Sequence, residues 1–128
     1  MGKILFHSTN GQAPRVDLRE ALLAGQAPDR GLYMPDAIPR LAPATFAAFA
    51  KRSYPEIAFE VLRLFAEGVI AEPALAALCE EAYDFPVPVE AVRDRMHVLR
   101  LDRGPTASFK DFAARDHVRH RLGWSVST

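Results

Sequence analysis

Residues 100–115 read RLDRGPTASFKDFAAR, with Lys110 set between Phe109 and Phe112 shortly after a Gly-Pro pair. Just upstream, MHVLRL (Met96–Leu101) reads as a strand, and Gly104-Pro105 breaks it sharply. Ser108 and Asp111 stand three apart, which makes Ser108 the N-cap of a helix and Asp111 its first-turn acid. Lys110 is then the second residue of that helix. The positive end of the macrodipole disfavours an ammonium there, and desolvation by the flanking Phe109 and Phe112 favours the neutral amine.

A neutral lysine is the form that attacks an aldehyde to give a Schiff base. A cofactor such as pyridoxal phosphate uses that bond as its tether and the lysine as a later proton carrier. On spacing alone a solvated lysine on an amphipathic helix is the simpler reading, because most lysines are surface residues.

Upstream of this stretch the texture is helical. DLREALLAG carries Asp17 and Glu20 in capping-box spacing, apolar Leu18, Ala21 and Leu22, and Gly25 as a stop. TFAAFAKR reads as a second helix with Phe46, Phe49 and Ala50 inward. SYPEIAFEVLRLFAEG is the clearest helix: Ser53 and Glu56 cap it, and Pro55 is tolerated in the first turn. Its inward stripe is Ile57, Val61, Leu64 and Phe65, and Glu56, Glu60, Arg63 and Glu67 form the wet face. EPALAALCEEAYDF opens a fourth helix at Pro73, with Leu75, Leu78, Cys79 and Ala82 inward.

KILFH (Lys3–His7) reads as a short strand with His7 outward, and FPVPV as extended chain. APDRGLYMPDAIPRLAP is a proline-punctuated connection whose Leu32, Tyr33, Met34 and Ile38 are apolar enough to pack onto the body.

The 128 residues allow one modest core, and 49% hydrophobic with 25% charged residues is ordinary for a globular chain. Sixteen basic residues balance sixteen acidic ones, so no global field draws nucleic acid or an anionic membrane. The basic run from Arg115 to Arg121 is short and lacks interleaved aromatics, which argues against nucleic-acid binding. Cys79 is the lone cysteine, so no internal disulfide framework exists; it fits a reducing compartment and reads as a core thiol. No signal peptide or span-length segment is visible, and the expected location is cytoplasmic. His117 and His120 stand three apart near the end, but a polar tail explains them better than a metal, and no metal site is expected.

GPTASFKDFAAR (Gly104–Arg115) closely resembles the lysine motif of the threonine synthase family, pyridoxal-phosphate enzymes of the second fold type. The family's usual form is histidine-Gly-Pro-Thr, two variable residues, then Phe-Lys-Asp-Phe. Three further blocks resemble the family in order and spacing: STNGQAPRVDLREALLAGQAPDRGLYMPDAIPRL, YPEIAFEVL and AYDFPVPV, so that the resemblance runs from Ser8 to Arg115. It implies a reaction that converts O-phospho-L-homoserine and water into L-threonine and phosphate. It implies a cofactor, pyridoxal 5'-phosphate, held by a Schiff base to Lys110, with Gly104, Pro105, Thr106, Ser108 and Asp111 as positioning and capping support. Two departures stand out. Arg103 occupies the family's histidine position, and Asp29-Arg30-Gly31 replaces the more usual Asp-Gly-Gly, with consequences for the turn at position 30.

The fold class expected is α/β (α+β): a mostly helical N-terminal domain with a short strand, residues 1–95, then the first strand and helix of an incomplete fold-type-II domain, residues 96–128. The family's glycine-rich phosphate cradle lies after the lysine, where this sequence has only Gly123. The isolated chain is therefore expected to be inactive. Its last residues, DHVRHRLGWSVST, are expected to reflect a frameshift, a premature stop or an artificial boundary. The strand from Met96 would lack partners and invite self-association through its edge. Two other readings stay open: a related pyridoxal-phosphate lyase acting on another phosphorylated hydroxy-amino acid, and a non-catalytic helical module that binds a partner.

Overall fold

A computed structural model of the chain describes residues 2–112 and 122–123. Its order is β1 (Phe6–Ser8), α1 (Leu18–Ala24), β2 (Tyr33–Pro35), α2 (Pro43–Ala48), a 3-10 turn (Phe49–Lys51), α3 (Tyr54–Ala66), α4 (Glu72–Ala82), β3 (Val89–Arg93), β4 (Met96–Leu99) and a second 3-10 turn (Phe109–Phe112). It is a mixed α and β fold. The helices supply most of the core, and two small antiparallel sheets flank them.

Both capping boxes form. Asp17 Oδ1 accepts the Glu20 N–H at 2.9 Å, and Lys3 Nζ lies 2.8 Å from Asp17 Oδ2. Hydrogen bonding from Lys3 holds the Asp17 carboxyl below its ordinary range. Gly25 ends α1 at φ 70°, donating its N–H to the Ala21 carbonyl. Ser53 N–H donates to Glu56 Oε2 at 2.6 Å and opens α3, and Gly68 at φ 72° follows it.

The core is a pair of clusters. Ile4, Phe6 and Ala21 gather Val16, Leu18, Tyr33 and Phe65; Ala66, Leu75 and Cys79 gather Leu18, Ala58, Phe59, Ile70 and Tyr83. Leu18 packs against both, so the clusters join beneath α1. Ala66 is small enough to let α4 approach α3 closely, and Cys79 is buried there. Burial pushes the Cys79 thiol pKa up, as for an inert core thiol.

Four expectations change. The connection after α1 contains β2, which pairs antiparallel with β1 (Phe6↔Pro35, His7↔Met34, Ser8↔Tyr33). Strand alternation turns Tyr33 inward and leaves Leu32, Met34 and the downstream Ile38 exposed instead of packed. In the second helix, Phe46 is 69% exposed and Ala50 is exposed. The helix tightens to 3-10 after six residues, and Phe46 meets Phe49, three residues on, with ring centroids 5.9 Å apart. Glu60 leaves the wet face of α3: its side chain is 12% exposed, between Arg52 and Arg63.

The fourth change concerns the strand from Met96. EAVRDR is not a connector: β3 and β4 form a hairpin, Val89↔Leu99 and Glu90↔Val98, with Asp94 at φ 48° in its turn. β4 therefore has a partner. Every residue of the hairpin is exposed.

Candidate functional site

The hairpin delivers the chain to the Lys110 turn. Arg100 fixes its exit: Nη1 donates to both Glu90 oxygens at 2.8 and 3.0 Å, while Nε and Nη2 grip Asp102 at 2.8 and 2.6 Å. That grip pulls the Asp102 carboxyl down to about 2. Arg103, exposed, adds a weaker Coulombic pull on Asp102.

Gly104 to Ala107 then make a tight turn, closed by the Ala107 N–H on the Gly104 carbonyl at 3.0 Å. Asp111 folds back over it. Its Oδ2 accepts the Thr106 N–H at 3.0 Å and its Oδ1 accepts the Thr106 hydroxyl at 2.6 Å. A Cβ at residue 104 would overlap the Asp111 side chain, so glycine is required by this close approach. The Thr106 hydroxyl is the main cause holding Asp111 below the ordinary carboxylate range.

The capped α-helix expected at Ser108 takes another form. Phe109–Phe112 is a 3-10 turn, the Ser108 hydroxyl accepts the Lys110 N–H at 3.3 Å, and the Asp111 N–H goes to the Ser108 carbonyl at 3.1 Å. Asp111 caps Thr106 instead of Ser108 because Thr106 offers it two donors. The flanking aromatics also differ from expectation. Phe112 turns into the protein, whereas Phe109 is 67% exposed and leaves Lys110 open on that side. Lys110 itself is exposed.

Phe112 meets an aromatic box that the sequence reading missed. Tyr54, at the start of α3, and Tyr83, just past α4, have ring centroids 5.0 Å apart. Phe85 approaches Tyr54 at 6.3 Å, and Phe112 lies 6.3 Å from Tyr54 and 5.3 Å from Phe85, edge-on at 86° to the latter. Tyr83 Oη donates to the Phe112 carbonyl at 3.3 Å. The available signal was the aromatic residue at each end of the α3–α4 pair, since an antiparallel pair brings those ends together.

The structure thus brings together Gly104, Thr106, Ser108, Lys110 and Asp111 in one turn, with Pro105 inside it. The chemistry it offers is an exposed primary amine on a backbone clamped from both sides. That fits the anchoring half of a carbonyl cofactor's needs. The space at Gly104 is filled by a carboxylate and cannot double as a phosphate cradle. Among the described residues no group of three His, Cys, Asp or Glu side chains could hold a metal, and His117 and His120 lie outside those residues. No helix among the described residues is long and apolar enough to cross a membrane.

Comparison with known proteins bears on most of the chain. Residues 5–83 match the family described as threonine synthase N terminus. A threonine synthase of Pseudomonas aeruginosa is 39% identical over 94% of this chain, which spans 28% of that protein. Human threonine synthase-like 2 is 35% identical over 84% of the chain, 24% of its own length. The crystal structure of a PLP-bound threonine synthase from Brucella melitensis superposes with a TM-score of 0.83 at 36% identity, covering 94% of this chain and 28% of that one. The chain therefore spans about a quarter of the length of the relatives it matches.

Proposed function

The chain belongs to the threonine synthase family through its N-terminal region, and from that premise we propose that it is the N-terminal, lysine-bearing part of a cytoplasmic pyridoxal-phosphate-dependent lyase. The reaction is the conversion of O-phospho-L-homoserine and water into L-threonine and phosphate, as a step of amino-acid biosynthesis. The observation that carries this reading is Lys110: an exposed amine in a turn whose GPT and FKDF residues are locked by Asp111 on Thr106.

When bound, pyridoxal 5'-phosphate supplies an electron sink that lets phosphate leave the γ carbon and water add at the β carbon. The residues here do the rest of what this region contributes. Lys110 Nζ would be the amine that holds the cofactor, and the same amine would carry protons there. Asp111 and Thr106 fix the turn that aims it. Ser108 holds the Lys110 N–H, and Gly104 with Pro105 shapes the bend.

We also propose a division at the hairpin turn, with residues 1–95 as the N-terminal domain and 96–128 as the opening of the catalytic domain. The β3–β4 pairing laces the two together. Alone the chain is inactive, since it provides the amine and not the phosphate cradle. Its exposed hairpin edges favour self-association in that state.

A second reading, a related lyase for another phosphorylated hydroxy-amino acid, is favoured by Arg103 at the family's histidine position. One experiment addresses both. This chain is grafted in place of the matching segment of the P. aeruginosa relative and threonine release from O-phospho-L-homoserine is followed. Release that is abolished in Lys110→Ala supports the first reading. A folded fusion that is silent on this substrate and turns over another supports the second.

A further inference from the structure

We infer that Tyr83, with Tyr54 and Phe85, is a positioning device for Lys110, so that the α3–α4 pair serves the reaction without touching substrate. This rests on the reading of Lys110 as the anchoring amine.

Phe109–Phe112 is a 3-10 turn. In such a turn each residue rotates by about a third of a circle, so residues two apart point to different sides. With Phe112 facing the helical body, Lys110 is directed to a different side, and it is exposed. The direction of Lys110 is therefore set by where Phe112 is held. That residue is held twice: its ring against Tyr54 and Phe85, at 6.3 and 5.3 Å, and its carbonyl by Tyr83 Oη at 3.3 Å.

A ring contact fixes position and a carbonyl hydrogen bond fixes the orientation of the peptide plane; both together leave the turn little freedom to roll. The other side of the turn is clamped locally by Asp111 on Thr106. Lys110 sits between a local clamp and a remote one, and the remote one belongs to the helices. Burial pushes the Tyr83 and Tyr54 hydroxyls up, so Tyr83 stays a donor across the ordinary pH range.

The test is hydrogen exchange, resolved to segments, on the chain itself. Tyr83→Phe keeps the ring and removes the donor; Phe85→Leu keeps apolar volume and removes the edge contact. Exchange at Lys110–Phe112 should rise roughly two- to ten-fold in Tyr83→Phe, the range that loss of one hydrogen bond allows. Amides of α3 and α4 should not change. Phe85→Leu should do the same, and Phe85→Trp, which restores an aromatic edge, should return the turn to wild-type exchange. Unchanged exchange at the turn in both variants would overturn the inference, as would equal loosening of helices and turn, which marks general structural support. In the grafted enzyme, Tyr83→Phe should shift the pH at which the absorbance of the lysine-bound cofactor changes. If wild-type Lys110 takes no cofactor there while the exchange coupling stands, it is the reading of Lys110 that fails and not the coupling.

Discussion

Asp111 holds Thr106 at two points, the backbone N–H at 3.0 Å and the hydroxyl at 2.6 Å, and so closes the turn that carries Lys110. Its carboxyl is held below the ordinary range, mainly by that hydroxyl. A depressed folded-state value means that the clamp is fully present above the unfolded carboxyl's value, near pH 4, and is lost as pH falls through the folded one. Thr106 amide exchange, corrected for intrinsic rate, should accelerate on acidification. Asp111→Ala should show the fast rate at all pH values with global stability nearly unchanged.

A second carboxylate does the same for the N-terminal sheet. Asp29 accepts the Ser8 hydroxyl at 2.6 Å and the N–H groups of Gln12, Ala13 and Gly31 at 2.9 to 3.0 Å. Ser8 is 1% exposed, so its hydroxyl has to be paired inside the protein. Led by the Ser8 bond, these contacts bring Asp29 down to about 2. The contribution is present above its ordinary value of 3.8 and disappears as pH falls toward about 2. The urea midpoint should drop over that interval, and Asp29→Asn should flatten that part of the acid limb while lowering the neutral-pH midpoint.

The neighbouring Arg30 and Gly31 make opposite predictions. Arg30 sits at φ 65°, a left-handed conformation that costs a non-glycine residue about 1 kcal/mol. Arg30→Gly should therefore stabilise the chain, by roughly 0.5 kcal/mol once glycine's greater unfolded-state freedom is counted. A Cβ on Gly31 would overlap the Ser8 hydroxyl, so Gly31→Ala should destabilise by about 1–3 kcal/mol. Urea denaturation of both variants checks the signs.

Leu75 is buried between α3 and α4 against Ala66 and Cys79. Leu75→Ala should cost about 2–4 kcal/mol, read as a lower urea midpoint. Because the same helices frame the aromatic box, the variant should also loosen the Lys110 turn. That separates it from Asp111→Ala, where the turn loosens alone.

The helix caps were legible because a capping box is a local contract between residues three apart. Asp17–Glu20 and Ser53–Glu56 kept it. Ser108–Asp111 has the same spacing and did not, because Thr106 supplied a better pair of donors from outside the window. Strand pairing was less legible. Tyr33–Pro35 is too short and too proline-rich to announce a strand, and it exists because β1 lies beside it. Val89–Arg93 was masked by its charges, which an exposed hairpin tolerates and a buried strand would not. At the site, the Lys110 motif could be read directly, but the ring box could not. Tyr54 and Phe112 are far apart in sequence, and only the packing of α3 on α4 brings them together.

The central claim is that Lys110 is the amine that carries the cofactor. The most direct test is borohydride reduction of the grafted enzyme in the presence of pyridoxal phosphate, followed by intact mass and a peptide map. Within this segment the competing lysines are Lys3, paired to Asp17 at 2.8 Å, and Lys51. The prediction is a single phosphopyridoxyl group, mapped to Lys110 and lost in Lys110→Ala. A folded enzyme labelled on another lysine, or equally well labelled without Lys110, would contradict it.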